Sequence, residues 1–341
     1  MADDVNSNDT CTHRGHILSA QPLEDLLYLF AFDETFATEL VSSKKSRHLQ
    51  APSISSIKAI VHVQRDVRKI ALKLGTDGPV KTLPTPRKVQ ILFGGTYIIR
   101  TTNAHYVWEH PFFPQLYLPL SELVSSSKAQ NFSFTPGSDI KSDSGHALAT
   151  QYTIACGSKT TDQVIAFSDN LTGKPAELSG LVKINFDSMD QWFEEDTPIH
   201  VHPKDPFKRI DILASTRPIK VSVSGRQIAY TETAMHLYET GLPARFYIPL
   251  TSIDPTVLRP SSTRTKCPYK GEAEYYSVEI DGEVHEDLFW YYTRPTVESS
   301  KVEGLVCPYN ERVDIELEGK KLERPKTHFG KPKEGKKPEV V

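Results

Sequence analysis

The sequence predicts a mainly β protein made of two tandem antiparallel units behind a short helical region, and three observations carry that reading. From Val89 onward apolar residues recur at every second position, the period of a half-buried strand. Val89–Leu123 lies on Ile219–Ile253 without a gap when the chain is slid by 130 positions. Ahead of both, apolar residues recur instead at i, i+3, i+4 and i+7, which is the period of a helix.

The elements follow in chain order. Met1 to Thr10 is acidic and polar, lacking the basic flank and apolar stretch of a signal peptide, and residues 1–18 are expected to be a disordered tail. Ser19-Ala20-Gln21-Pro22 reads as a helix start, with Pro where a missing N–H costs nothing. Leu23, Leu26, Leu27 and Phe30 supply its apolar stripe. A second helix is expected from about Ser55 to Leu74, with Val63, Val67, Ile70 and Leu74 facing inward. Its outer face carries Arg65, Arg68, Lys69 and Lys73, read as a solvated surface rather than a phosphate contact. Gly75 closes this helix, and Pro79, Pro84 and Pro86 mark a linker that completes a helical region over 19–85.

Beyond it everything reads as strand and turn. Ile219, Val221 and Val223 alternate with Lys220, Ser222 and Ser224, and Gly225 turns the chain toward Ile228 and Tyr230. Tyr276, Val278 and Ile280 lead into Asp281-Gly282, a two-residue hairpin turn that needs positive φ, and the return strand runs Val284 to Tyr292. Val313, Ile315 and Leu317 alternate before the turn at Glu318-Gly319. Gly94-Gly95 matches Ser224-Gly225 and is a hairpin turn, not a phosphate loop. From Lys320 onward lysines (Lys320, Lys321, Lys326, Lys331, Lys333, Lys336, Lys337) mix with proline and glycine, and 325–341 is expected to be a disordered tail.

The repeat sets the domain organisation. At the 130-residue offset Gly95 meets Gly225, Ile98 meets Ile228, Thr101 meets Thr231, Ala104 meets Ala234 and Glu109 meets Glu239. Tyr117-Leu118-Pro119-Leu120 then meets Tyr247-Ile248-Pro249-Leu250. A later block agrees at an offset of 124, with Gly180-Leu181-Val182 on Gly304-Leu305-Val306 and Asp190 on Asp314. Two copies of over 100 residues indicate domain duplication rather than a solenoid. The boundary falls near Pro203 to Pro218, giving a first unit at 86–203 and a second at 204–324.

Composition narrows the function classes. The 341 residues are 38% hydrophobic and carry 40 basic against 43 acidic side chains, a formal charge of −3. A near-neutral chain is not built as a non-specific nucleic-acid or anionic-membrane binder, whose affinity needs excess Lys and Arg. The longest apolar run near the N-terminus, Leu26–Phe32, falls far short of the ~20 residues of a membrane span. Cys11, Cys156, Cys267 and Cys307 form no C-x-x-C pair, so neither structural zinc nor a disulfide framework is expected. The expectation is a soluble, cytoplasmic protein without a cofactor.

In the second copy several chemically distinctive blocks stand together: Gly225, Ala234, Glu239, Tyr247-x-Pro249, Thr265-Lys266-Cys267-Pro268-Tyr269-Lys270-Gly271, Trp290-Tyr291-Tyr292 with Pro295, Gly304-x-Val306 and Tyr309. On these residues, over roughly Pro218 to Arg324, the chain resembles the family catalogued as domain of unknown function 427. The first copy, about Pro86 to Pro203, is similar but degraded. Sliding the sequence sets Lys141 and Ser144-Gly145 against Cys267 and Lys270-Gly271, and Ala166-Phe167 against Trp290-Tyr291. The resemblance implies two compact antiparallel units akin to β-tent folds, in which two sheets are pinned together at one end. The family's catalogue name associates it with nucleotidyltransferases, but no phosphate cradle or metal-binding carboxylate signature is visible here.

Each candidate site residue has an ordinary reading beside its chemical one. Cys267 is a candidate nucleophile because neighbouring Lys266 and Lys270 favour a thiolate, whereas many cysteines are simply small buried residues. Lys270 precedes Gly271, which permits close backbone approach; it either presents an ammonium to an anionic group or is a turn lysine in solvent. On a strand Trp290 and Tyr292 point one way and Phe289 and Tyr291 the other, so one pair packs a core and the other is free to wall a cleft for a planar ligand. Glu239, matched by Glu109, is a general base, an anion-pairing group or a structural carboxylate. His200-Val201-His202 would present two imidazoles on one face if it were a strand, but no third metal ligand supports it. There is no G-x-S-x-G, H-E-x-x-H or G-x-G-x-x-G.

The functional expectation is a small-molecule binding or metabolic enzyme domain with its site in the second unit. Cys267, Lys270 and Glu239 are its chemical groups, and Trp290, Tyr291, Gly271 and Tyr247 line the ligand. The alternative is a non-catalytic interaction module, in which duplication supplies two docking surfaces for a protein partner.

Overall fold

The computed structural model describes residues 66–327. The helix expected at Ser19–Phe30, the start of the second helix and the terminal tails through 1–18 and from His328 on lie outside the described residues. The first described element is α1, Val67–Asp77, opened by the Asp66 carboxylate, which accepts from the Arg68 N–H at 3.0 Å. Val67, Ala71 and Leu74 make its buried stripe. Gly75 does not close the helix. It lies inside it, where a Cβ would meet Leu148 Cβ at 2.8 Å, and Gly78 at φ +76° makes the stop.

The first copy holds eleven strands: β1 Lys81–Pro84, β2 Val89–Phe93, β3 Thr96–Thr101, β4 His105–Trp108, β5 Gln115–Pro119, β6 Ser133–Lys141, β7 Ala147–Cys156, β8 Lys159–Phe167, β9 Leu181–Ile184, β10 Gln191–Glu194 and β11 Thr197–Ile199. A helix, α2 at Leu120–Ala129, interrupts them. The second copy repeats the series as β12 Ile210–Ser215, β13 Ile219–Val223, β14 Arg226–Thr231, β15 Ala234–Glu239, β16 Arg245–Pro249, β17 Leu258–Cys267, β18 Gly271–Ile280, β19 Glu283–Pro295, β20 Leu305–Pro308, β21 Asp314–Leu317 and β22 Lys320–Lys321.

Sheet order proves the duplication. The first copy has a seven-stranded sheet β1-β4-β5-β9-β8-β7-β6 and a four-stranded sheet β11-β10-β2-β3. The second has β12-β15-β16-β20-β19-β18-β17 and β14-β13-β21-β22, the same two orders strand for strand. Every pairing is antiparallel. The hairpin turns fall where expected, with Ser224-Gly225, Asp281-Gly282 and Glu318-Gly319 all at positive φ.

Two sequence expectations need correcting here. Lys81–Pro84 is not a linker: it is an edge strand paired with β4, a place where a proline's missing N–H costs no ladder bond. Helix α2 was not expected among the strands. Its second-copy counterpart shrinks to a 3₁₀ turn at Leu250–Ser252, because Pro255 follows and cannot continue a helix.

Each seven-stranded sheet is packed on both faces. In the second copy the inner face meets the small sheet around Ile219, Val221, Phe246, Phe289 and Ile315. The outer face gathers Leu237, Tyr247, Ala273, Tyr275, Trp290, Tyr292 and Cys307. In the first copy the matching outer face is covered by α1, whose Val67, Ala71 and Leu74 pack with Tyr117, Ala149, Ile165 and Phe167.

Candidate functional site

The outer face of the second copy brings most of the candidate residues together. Glu239 ends β15, Cys267 ends β17, and Lys270 sits in the tight turn that opens β18. Gly271 makes that turn possible: its φ is +105°, and a Cβ there would meet Arg294 O at 3.0 Å. The turn is tied down from the other side, where Thr296 N–H donates to Lys270 O at 3.1 Å and Thr296 Oγ1 to Tyr269 O at 2.5 Å.

This geometry turns Lys270 inward, so it is not a solvated turn lysine. Its Nζ lies 2.6 Å from Glu239 Oε2 and 3.8 Å from Cys267 Sγ, with side chains 10% and 4% exposed for the lysine and glutamate. Burial works against the ammonium, but the sulfur of Cys267 and the Glu239 carboxylate outweigh it, and Lys270 holds its proton more tightly than an ordinary lysine. Cys267 itself is half-buried, unlike Cys156 and Cys307, which are buried.

An aromatic wall continues from the charge pair. Trp290 Nε1 donates to Tyr247 Oη at 3.0 Å, and the Trp290 ring meets Tyr309 edge-on at 4.6 Å. Burial raises the phenols of Tyr247 and Tyr292 well above their usual range, so both stay neutral donors. Beside them Arg245 grips Glu311 with two 2.7 Å bonds. Tyr291 does not join this wall. It points to the opposite face of β19, stacked on Tyr276 at 4.8 Å and donating to Glu274 at 2.8 Å. The alternation of a strand requires that separation from Trp290.

Register also corrects the match between copies. Ile165 opposes Lys183 as Trp290 opposes Cys307, so the counterpart of Trp290-Tyr291 is Ile165-Ala166, one residue from the sliding match. Lys141 pairs with Ala147 as Cys267 pairs with Gly271, which leaves His146-Ala147 opposite Lys270-Gly271. The loop between those strands is longer in the first copy, and a gapless slide cannot register it.

The first copy keeps the buried charge pair by a different route. Glu109, the counterpart of Glu239, bonds Lys183 Nζ and accepts from Tyr117 Oη at 3.0 Å. Lys183 stands where the second copy has Cys307. The ammonium has moved from a turn to a neighbouring strand, while the carboxylate and the tyrosine stay in place. Sequence reasoning missed Lys183 because no residue type at Cys307 pointed to a cation there.

His200-Val201-His202 is not a strand. Val201 has φ +70° and His202 N–H donates to His200 O at 2.8 Å, a three-residue turn that sends His200 outward and buries His202. Among the described residues no three His, Cys, Asp or Glu side chains converge as metal ligands, and no helix is long and apolar enough to cross a membrane.

Two topologically identical units with these blocks are now matched by comparison. A family described as Domain of unknown function (DUF427) matches residues 81–195 and again 211–319. The chain belongs to the DUF427 family. The two matched segments run from the first strand of each copy to just before the last strand of its small sheet, so each match takes in the seven-stranded sheet and three strands of the four-stranded one. No curated protein matches the chain.

Proposed function

We propose that the second DUF427 unit is a small-molecule site centred on Cys267, with Lys270 and Glu239 as its fixed charge pair and Trp290, Tyr247 and Tyr292 as its apolar wall. The observation that carries this reading is the half-buried thiol 3.8 Å from a buried ammonium that a carboxylate holds in place. A thiol held beside that pair is placed to bond the polar end of a ligand or to act as a nucleophile toward an electrophilic carbon. The ligand class is a small molecule with a polar or electrophilic end for the thiol and a flat part for the rings.

A second reading has its own support. The first copy retains the charge pair as Glu109–Lys183 with no cysteine beside it and with α1 packed over the same face, as a purely structural device would be. On that reading the DUF427 units are an interaction scaffold.

Alkylation by iodoacetamide, localised by mass spectrometry on folded full-length protein, separates the two. The small-molecule reading expects Cys267 to react at least tenfold faster than glutathione at pH 7, and faster still in Glu239→Gln, where the ammonium loses its counter-charge. Reaction no faster than glutathione, unchanged in Glu239→Gln, would remove the site and leave the scaffold.

A further inference from the structure

We infer that the second unit carries a separate site for a flat bicyclic heteroaromatic ring bearing a ring N–H, seated between its two sheets on the face opposite Cys267. A groove of about 240 Å³ opens there, lined among others by Phe246, Asn310, Val313, Ile315, Leu322 and Pro325. The duplication shows what fills the same place in the first copy. Trp192 opposes Ile91 as Ile315 opposes Val221, and Ile91 and Val221 are equivalent residues of β2 and β13. Ile315 therefore stands where the first copy has Trp192. Counting on from the equivalent Lys183 and Cys307, Asn310 stands where the first copy has Phe186.

In the first copy those two rings stack at 5.3 Å with planes 8° apart, and Trp192 Nε1 donates to Phe186 O at 3.0 Å. Trp192 is fully buried. The second copy replaces the stacked pair by a branched aliphatic and an amide, and the exchange of Leu116 for Phe246 refills only part of the space. What remains has an aromatic floor in Phe246 and apolar walls. It exceeds the roughly 150 Å³ that suffices for a benzene ring, so a bicyclic ring fits.

Polarity points to the same ligand. Asn310 donates through Nδ2 to Ala244 O at 2.8 Å, while its Oδ1 is buried with no partner. A buried acceptor without a donor is costly, and a ring N–H is the kind of donor that the first copy places here, where Trp192 Nε1 bonds the backbone O of Phe186 rather than a side chain. The segment after β22 closes over the groove as a strap: Leu322 N–H bonds Ile315 O at 2.8 Å, and Arg324 and Thr327 bond Asp314 and Glu311 at 2.8 and 2.5 Å. Entry of the ring loosens this strap, which is held by hydrogen bonds and ion pairs at its ends.

Indole is the probe, titrated into the full-length chain and followed by ligand-observed NMR. Saturable binding is expected, weakened at least tenfold in Ile315→Trp, which restores the first copy's own filler. Asn310→Phe restores the other ring and serves should Ile315→Trp not fold. N-methylindole, which has no N–H to give, should bind more weakly than indole. Cys267→Ser should leave indole binding unchanged; loss in that variant would place the ring in the other site and overturn the inference without touching the proposal for Cys267. Absence of saturable binding, or equal binding by a folded filler variant, would also overturn it.

Discussion

Removing the ammonium of Lys270 while keeping the Glu239 carboxylate would leave a charge whose side chain is only 4% exposed facing a thiol and aromatic rings. Breaking a buried pair from one side costs about 3–5 kcal/mol, because the survivor cannot be solvated, whereas replacing both members removes that burden. Lys270→Met is therefore expected to lower the stability of the second unit by about that amount. The double variant Lys270→Met with Glu239→Gln should recover at least about 1 kcal/mol of it, an interaction energy of the size neighbours show. Urea denaturation of the two variants checks this; equal losses would mean that the lysine contributes packing and not charge. The pairing was not legible in the sequence. Glu239 and Lys270 lie 31 positions apart, one at the end of a strand and the other in a turn, and a lysine before a glycine reads locally as a surface turn. Only the positive φ of Gly271 and the Thr296 bonds aim the side chain inward. The aromatic alternation of Trp290 and Tyr291, by contrast, follows from strand period alone, and it is the register, not the alternation, that a gapless slide misplaced.

At the scale of elements, most strands and the buried stripe of α1 at Val67 and Leu74 are legible in the sequence, whereas β1 and α2 are not. Asp281-Gly282 and Glu318-Gly319 sit between alternating runs, so local turn chemistry and period agree, and β18, β19 and β21 were readable. Strand β1 is hidden by Pro84 and the flanking Pro79 and Pro86, and α2 by a serine-rich run with one buried residue, Leu123, too little apolar periodicity to reveal a helix. Helix α1 hides a different fact: its Gly75 serves packing. Elsewhere in a helix, Gly→Ala gains about 1 kcal/mol of propensity. Here the new methyl would lie 2.8 Å from Leu148 Cβ, on the strand beneath. Gly75→Ala is thus expected to destabilise the first unit by about 1–3 kcal/mol, as overpacking does. Combining it with Leu148→Gly, which removes the opposing Cβ, should cancel the clash and leave a milder loss. Thermal melts of the single and double variants test whether α1 is held that tightly on the sheet; a Gly75→Ala protein more stable than wild type would show that the helix can lift away.

For the whole molecule the decisive feature is the joint between the copies, which both fall in one compact unit. The chain from His200 to Arg209 is clamped on both sides. Trp108 Nε1 of the first copy donates to Asp205 at 3.1 Å, and the Asp205 N–H donates to Tyr269 Oη of the second at 2.7 Å. Lys204 pairs with Glu298 at 2.7 Å. At the centre His202 stacks on Phe113 at 4.0 Å, with Tyr269 edge-on. Burial pushes the His202 imidazole down to about 4; the Pro203 carbonyl opposes the shift, Lys208 and His110 deepen it, and Asp205 works against it. A histidine kept neutral in the folded state is protonated first in the unfolded chain. Between pH 6.5 and 4 the unfolded state therefore binds the extra proton, and stability falls as pH drops through that window. The fall from 6.5 to about 4 corresponds to a full loss on the order of 3 kcal/mol. His202→Phe keeps a ring to stack on Phe113 and removes the titration. Its urea midpoint should change less between pH 7 and pH 4.5 than that of the wild type, by about 2 kcal/mol of stability. Identical pH profiles would show that the imidazole reaches water when the chain is folded, and the joint would then be a loose tether and not a packed interface.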